Sequence, residues 1–424
     1  MAAVYADKNR ISGLFKKVYG DLNNLVPSFS ILKQVIPFKR SKRHGDAFEE
    51  GVRTRHSAGV TYLPSGAGVR TLGDPIATKI LMAQVKGSQI YIRDGIDDEA
   101  MLSAQTSEQA FESATKVVVD SLWESAHHRL EVEMLWGADI EGLGIVESVS
   151  TNDVKITAAT WAPGLWIGTE GHEVNVYSAP LSGNDLEVST TITSIDYSNR
   201  ILTLAAVTDI TAGDIITFKG QYDHANTFGG GTIFISPAGL SKIAQNTGTL
   251  FGIAGTESTL WKGNVIDAAS GPLTLGLILK GAADAMIKGA MGGMVCYVSP
   301  LTFASLTEDE ASLRRYVEKG EVRELVTGAE KLSFYAPLGK IAIEAHPMMK
   351  QGAACGIAPK FCKRIGVTDV TFVNPEKGAD GKVTNYYFIP INNSNGWEIR
   401  TYSHQAIYTA YPGRSFWIKN IVNP

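Results

Sequence analysis

The longest pattern in the chain is helical. Across residues 103–136 the apolar positions Phe111, Ala114, Val118, Leu122, Ala126 and Leu130 recur three or four apart, while Glu108, Glu112, Lys116, Asp120 and Glu124 keep other faces polar. This spacing predicts one helix far longer than the roughly 11–12 residues usual in globular proteins. Thr106 and Gln109 have the spacing of a capping box at its start, and Gly137 supplies a stop. The heptad is not strictly kept, so the stripe suits a spine laid across a sheet better than a dimeric coiled coil.

On either side the period changes to two. Residues 46–102 read as extended: Gly59, Gly66, Gly68 and Gly73 punctuate the first half and residues 76–92 carry a strand pattern, which predicts two long strands joined at a tip. After the spine, strand-like runs at 145–149, 154–156, 174–176, 188–195 and 201–204, then a turn over Thr211, Ala212, Gly213 and Asp214 before 215–218, predict a small β-barrel or sandwich inserted over residues 138–225. Helical patterns at 238–245 and 273–287 then mix with strand patterns at 294–298 and 341–343, and strands at 386–391, 397–402 and 416–421 end the chain. Residues 1–45 combine short amphipathic pieces such as 11–18 with Pro27 and Pro37 and read as an arm. The whole is α+β.

Length and composition allow two or three cored domains, with 424 residues and 44% hydrophobic content. The net charge of -4 conceals an asymmetry. Lys8, Arg10, Lys16, Lys17, Lys33, Lys39, Arg40, Lys42 and Arg43 are opposed only by Asp7 and Asp21 before residue 45, a distribution suited to a polyanionic partner or to a solvated terminus. The first 17 residues lack the apolar core of a secretion signal, and the most apolar span, 273–287, is broken by Lys280 and Asp284. A chain made in a cytoplasm, with no membrane partner, is expected. Cys296, Cys355 and Cys362 cannot all pair and show no CxxC spacing, so they are expected to be reduced, buried thiols.

Candidate chemistry is sparse. His127 and His128 lie within helical reach of Glu124 and Glu131, but i,i+4 ion pairing explains that spacing as well as a metal does, and zinc needs three or four convergent ligands. The glycine clusters at Gly142 and Gly144, Gly229 to Gly231, and Gly292 with Gly293 lack the companions of a phosphate loop or a dinucleotide fingerprint. No GxSxG elbow or HExxH helix occurs, and His346, before Pro347, is expected to be satisfied by nearby backbone. Trp161, Trp166 and Tyr177 suit either a sugar-stacking platform or the core of a small barrel. The first option defines an alternative of another class, a carbohydrate-binding or glycosidase protein. No catalytic residue, metal or cofactor is assigned, and no enzyme is expected.

Several segments, in order, resemble the major capsid proteins of tailed bacteriophages, which share the HK97-like fold. They are residues 13–38 (GLFKKVYGDLNNLVPSFSILKQVIPF), the strand run 86–92, 248–253 (GTLFGI), 261–264 (WKGN), 272–275 (PLTL) and 295–300 (VCYVSP). The resemblance spans most of the chain and rests on order more than on identity. It implies an N-terminal arm (1–50), an extended E-loop (51–102), a spine helix (103–137) of a peripheral domain that resumes at 226–271, a β-rich insertion domain (138–225), an axial domain (272–375) and C-terminal strands of the peripheral domain (376–424). The function implied is a structural shell subunit, self-assembling into pentamers and hexamers of an icosahedral head around double-stranded DNA, located in the virion and made in the host bacterium. An encapsulin-like compartment shell is the alternative within the fold.

The implied partners are further copies of the chain, a portal, a separate scaffolding protein, DNA held without sequence preference, and a cement or decoration protein. The basic residues of the arm become candidate inner-surface contacts to DNA or scaffold, and Arg70, Lys79 and Lys86 candidate inter-subunit contacts of the E-loop. Some relatives join an E-loop lysine to a neighbour's asparagine. No motif maps such a bond onto Lys79, Lys86, Asn420 or Asn423, so no cross-link is expected.

Overall fold

The computed structural model describes residues 30–42, 45–66, 68–69, 71–97, 108–179, 181, 186–223, 234–308, 331–336, 339–377, 383–385, 389–391 and 395–423. The spine helix runs Glu108–Trp136. Its expected cap at Thr106 lies outside the described residues, as do the side chains of Phe111 and Ala114. Val118, Leu122, Ala126 and Leu130 are buried as the stripe requires, and Lys116 and Asp120 are exposed. In the last turns the burial widens to Val132, Met134, Leu135 and Trp136, because there the helix is enclosed on several sides.

Gly137 does stop the helix, but by close approach and not by a left-handed backbone. A Cβ there would sit 2.1 Å from the Pro237 carbonyl oxygen, and it is Ala138 that has positive φ, at 53°. The Gly239 N–H then donates to the Gly137 carbonyl at 2.8 Å.

Two larger sheets frame the spine. A five-stranded sheet joins Phe38–Arg40, Cys362–Thr371, Gly396–Thr409 and Ile389–Pro390 in that order, with Ser88–Asp97 pairing along Gly396–Thr409. A six-stranded sheet runs Asn264–Asp267, Phe416–Lys419, Ala354–Ile357, Met294–Val298, Gly339–Ala345, Lys331–Ala336. The helix Leu275–Ile287, capped by the Thr274 hydroxyl, covers this second sheet through Leu275, Ile278, Ala282 and Ala285. Membership of the sheets corrects the boundary expected at residue 375/376. The strand Cys362–Thr371 belongs with the peripheral strands, and the terminal Phe416–Lys419 pairs in parallel with Asn264–Asp267.

The expected run 76–92 is also two strands. Lys79–Val85 pairs with Phe48–Arg55 in a hairpin, and Ser88–Asp97 joins the five-stranded sheet. Gly87 marks the break, tight between the Phe48 ring and Gln405.

The insertion is a closed six-stranded barrel, in the order Ile215–Phe218, Gly144–Ser150, Asp153–Ile156, Ile201–Leu204, Leu186–Asp196, Glu173–Tyr177. Its interior is filled by Val146, Val154, Ile156, Trp166, Val174, Val176, Leu202, Leu204 and Ile216, all buried. The barrel shares one hydrophobic core with the spine, the hairpin and the five-stranded sheet. The loop after Gly339–Ala345 clamps it there. Gln351 N–H donates to the Trp161 carbonyl (3.0 Å), Gly352 N–H to that of Ala159 (2.7 Å) and Lys350 Nζ to that of Gly142 (2.9 Å).

Candidate self-association surfaces

The resolved part of the arm is held by buried polar groups. Its short helix Ile31–Val35 crosses the spine, where the Leu32 N–H donates to Glu131 Oε1 at 2.6 Å. Glu131 is fully buried, and the same oxygen accepts from His346 Nε2 at 3.1 Å. His346 Nδ1 accepts from the Met348 N–H at 3.2 Å, which fixes the proton on Nε2. The backbone expected to satisfy His346 is therefore present, but a carboxylate 215 residues away completes it. Further on, Arg364 Nε donates to the Ile36 carbonyl at 3.0 Å while its Nη1 bridges Asp369 and Gln405. Phe38–Arg40 then adds as an edge strand, parallel to Cys362–Thr371.

The hairpin has two apolar faces. Phe48, Val52, Ala83 and Val85 turn toward the chain's own core, the Phe48 ring lying 5.5 Å from that of His404. Ile80 and Met82, on the alternate positions, face outward and are more than half exposed. Beyond them the only pairing among the described tip residues is the Ala58–Ile76 bridge, and Val60, Tyr62, Val69 and Leu72 are exposed, Tyr62 at 92%. A two-stranded ribbon carrying this much bare apolar surface has no stable place in water without a covering partner.

The charged candidates divide. Lys8, Arg10, Lys16, Lys17, Arg43 and Arg70 lie outside the described residues. Lys33 is turned onto the spine, bonded to His127 Nε2 with its Nζ 5.5 Å from the centre of the Trp123 ring. Lys39, Arg40 and Lys42 are exposed on the edge strand and just after it, Lys39 at 4.0 Å from Glu50. On the hairpin Lys79 pairs with Glu257 and Lys86 with Asp46 (2.8 Å) within the chain. Asn420 donates to Asp267 at 2.9 Å and Asn423 to the Gln351 carbonyl at 3.3 Å.

The spine histidines serve the arm and the barrel. His128 Nε2 donates to the Gly164 carbonyl at 3.2 Å, and Arg129 Nη2 donates to His172 Nδ1 at 3.0 Å while its guanidinium lies 3.4 Å from the centre of the Phe218 ring. Burial pushes His128 and His172 down to about 4, and His127 likewise, the Lys33 charge adding to the effect. Burial raises Glu133, which accepts from Ser88 Oγ at 3.1 Å, to about 7. Among the described residues no three His, Cys, Asp or Glu converge as metal ligands, and no helix is long and apolar enough to cross a membrane. The three cysteines are buried free thiols, burial pushing Cys296 and Cys362 up to about 12, so they are held unreactive.

The sugar-platform expectation fails. Trp161, Trp166 and Tyr177 are at most 1% exposed and fill the barrel and its base, where no ring face is open to a ligand.

No family model and no curated protein matches the chain. Solved structures do. The capsid chain of cyanophage A-1(L) superposes with a TM-score of 0.55 over 96% of both chains at 9% identity. The capsid of Ralstonia phage GP4 aligns over 96% of this chain and 95% of its own at 11% identity, with a TM-score of 0.44. The fold assignment rests on the first: the chain has the α+β HK97-like capsid fold, with a β-barrel inserted after the spine helix.

Proposed function

We propose that the chain is the major capsid protein of a tailed bacteriophage, a non-enzymatic subunit that assembles with itself into pentamers and hexamers of an icosahedral, DNA-filled head. The observation that carries this reading is the fold shared with a capsid chain over 96% of the length. The exposed apolar hairpin supports it, because a surface of that kind calls for a neighbouring copy in contact.

The parts are an arm (1–50), an E-loop (51–102), a peripheral domain built on the spine and the five-stranded sheet, an insertion barrel (138–225) and an axial domain around the six-stranded sheet. Lys39, Arg40 and Lys42, with Lys8, Arg10, Lys16, Lys17 and Arg43, are the basic residues proposed to meet DNA or scaffold. Lys33 leaves that set because its ammonium is bound inside. Contacts to phosphate would carry no sequence preference and would weaken steeply with salt. Arg70, Lys79 and Lys86 remain proposed inter-subunit contacts, the two lysines exchanging an intrachain carboxylate for a neighbour's. A portal, a separate scaffolding protein and a cement protein complete the proposed partners, and the host cytoplasm is the proposed site of synthesis. No cross-link between subunits is expected; a ladder from mature particles on a denaturing gel would contradict that.

Electron microscopy of the purified chain, concentrated alone and again with the scaffolding protein encoded beside it, tests the function. Five- and six-membered rings or closed shells are expected. A uniform monomer under both conditions overturns the proposal.

A further inference from the structure

One turn of the spine carries both of the chain's appended parts, and it does so through bonds of one unusual kind. On the arm side Lys33 Nζ meets His127 Nε2; on the barrel side Arg129 Nη2 meets His172 Nδ1 at 3.0 Å. An ammonium or guanidinium only donates, so each of these imidazole nitrogens must be an acceptor and must carry no proton. A protonated imidazolium has no acceptor left. The same event therefore removes the bond and sets two cations face to face.

We propose that this turn of the spine is a proton-operated junction, in which uptake of a proton by His127 releases the arm helix 31–35 and uptake by His172 releases the adjacent edge of the barrel.

The surroundings favour release over accommodation. Around His127 stand Lys33 from the arm, the Trp123 ring edge-on at 4.6 Å, and Arg364 and Asp369 from the five-stranded sheet. Asp369 is the only anion among the groups acting on it, and its carboxylate already accepts from Arg364 and from Gln405 at 3.0 Å each. Around His172 stand Arg129 and His128; Glu133, the anion nearest in effect to Arg129, is itself pushed toward its neutral form by burial. His128 differs in kind, since its Nε2 donates to a carbonyl and that bond survives protonation. The three histidines hold fewer protons folded than unfolded between about 6.5 and about 4, so the contacts they make weaken as pH falls through that window.

The fold decides which parts move. The arm's other ties are the Leu32 and Ile36 backbone bonds, and the barrel's other clamp is the 350–352 loop. Local opening at 30–36 and 169–175 is therefore expected while the six-stranded sheet stays closed. This inference concerns the single chain and stands whether or not shells form.

Hydrogen–deuterium exchange of the full chain from pH 7.5 to 4.5, corrected for intrinsic exchange, tests it. Protection at 30–36 and 169–175 should fall about tenfold or more for each unit of pH below 6.5, with residues 294–298 and 354–357 unchanged. H172Q, whose amide oxygen accepts from Arg129 and takes up no proton, should keep 169–175 protected at pH 5 and leave the arm's pH response intact. H127Q should do the reverse. Loss of protection everywhere at once in the unaltered chain overturns the junction, a readout that needs no variant to fold. So does an unchanged pH profile in both variants.

Discussion

Glu131 shows how one side chain can organise a fold. Its carboxylate is fully buried on the spine and binds the arm through Leu32 and the six-stranded sheet's exit loop through His346. Glu131→Ala would strand two buried N–H donors and cost about 3 kcal/mol, seen as a fall in the thermal midpoint, whereas Glu131→Gln keeps an acceptor and should cost less. Glycines set a second constraint at this scale. A Cβ on Gly352 would lie 2.7 Å from the Ala159 carbonyl oxygen and 2.9 Å from its Cβ, with no flexible side-chain end to move aside. Gly352→Ala should therefore destabilise by about 1–3 kcal/mol, with faster exchange first around 159–166, because the barrel base must lift from its clamp. Equal loss at remote strands would argue against that order. None of this was legible in the sequence, where Glu131 looked like an i+4 partner for His127 and His346 like a lone strand-exit histidine. Their partners lie across the fold, at separations that local periodicity does not sense.

At the scale of elements the local periods were informative wherever one element faces one environment. All six barrel strands fall on predicted runs, since each has an inside and an outside, and the spine's stripe faces a single sheet. The hairpin and the sheet edges were harder. Residues 76–92 look continuous because both strands they contain alternate, and only the tight passage at Gly87 separates them. Parallel partners such as Asn264–Asp267 and Phe416–Lys419 are brought together by tertiary packing alone. The hairpin tip also separates stability from assembly. Replacing residues 56–78 by an Asn-Gly turn, which closes the ladder at the Arg55–Lys79 pair, removes exposed side chains and almost no core. The thermal midpoint of the dissociated chain should move by no more than about 3 °C, while rings and shells should vanish from electron micrographs. Shells that persist would place the self-association surface elsewhere on the molecule.

For the whole molecule, the question is whether the barrel is an accessory or part of the body. An inserted domain on two chain crossings is easily pictured as hanging free, yet Trp161, Ala162, Leu165 and Trp166 belong to the same buried cluster as Trp136 on the spine and Met348 on the clamp. The Trp136 indole N–H donates to the Met348 carbonyl at 2.8 Å, and the Lys350 ammonium lies 4.2 Å from the centre of its ring and 3.6 Å from Asp139. Undocking the barrel would bare these groups on both sides at once, and six short strands make a small core to survive alone. At pH 7.5 tryptophan fluorescence, weighted toward the buried indoles of the barrel and spine, and far-ultraviolet dichroism should report one coincident unfolding transition for the dissociated chain. At pH 5, with His172 drawing protons and the spine contact weakened, the fluorescence transition should move ahead of the dichroism. Separate transitions already at pH 7.5 would show that the barrel melts on its own and that the shared core does not bind it to the body. Coincidence at both pH values would leave the shared core standing and count against a proton-operated seam beside it.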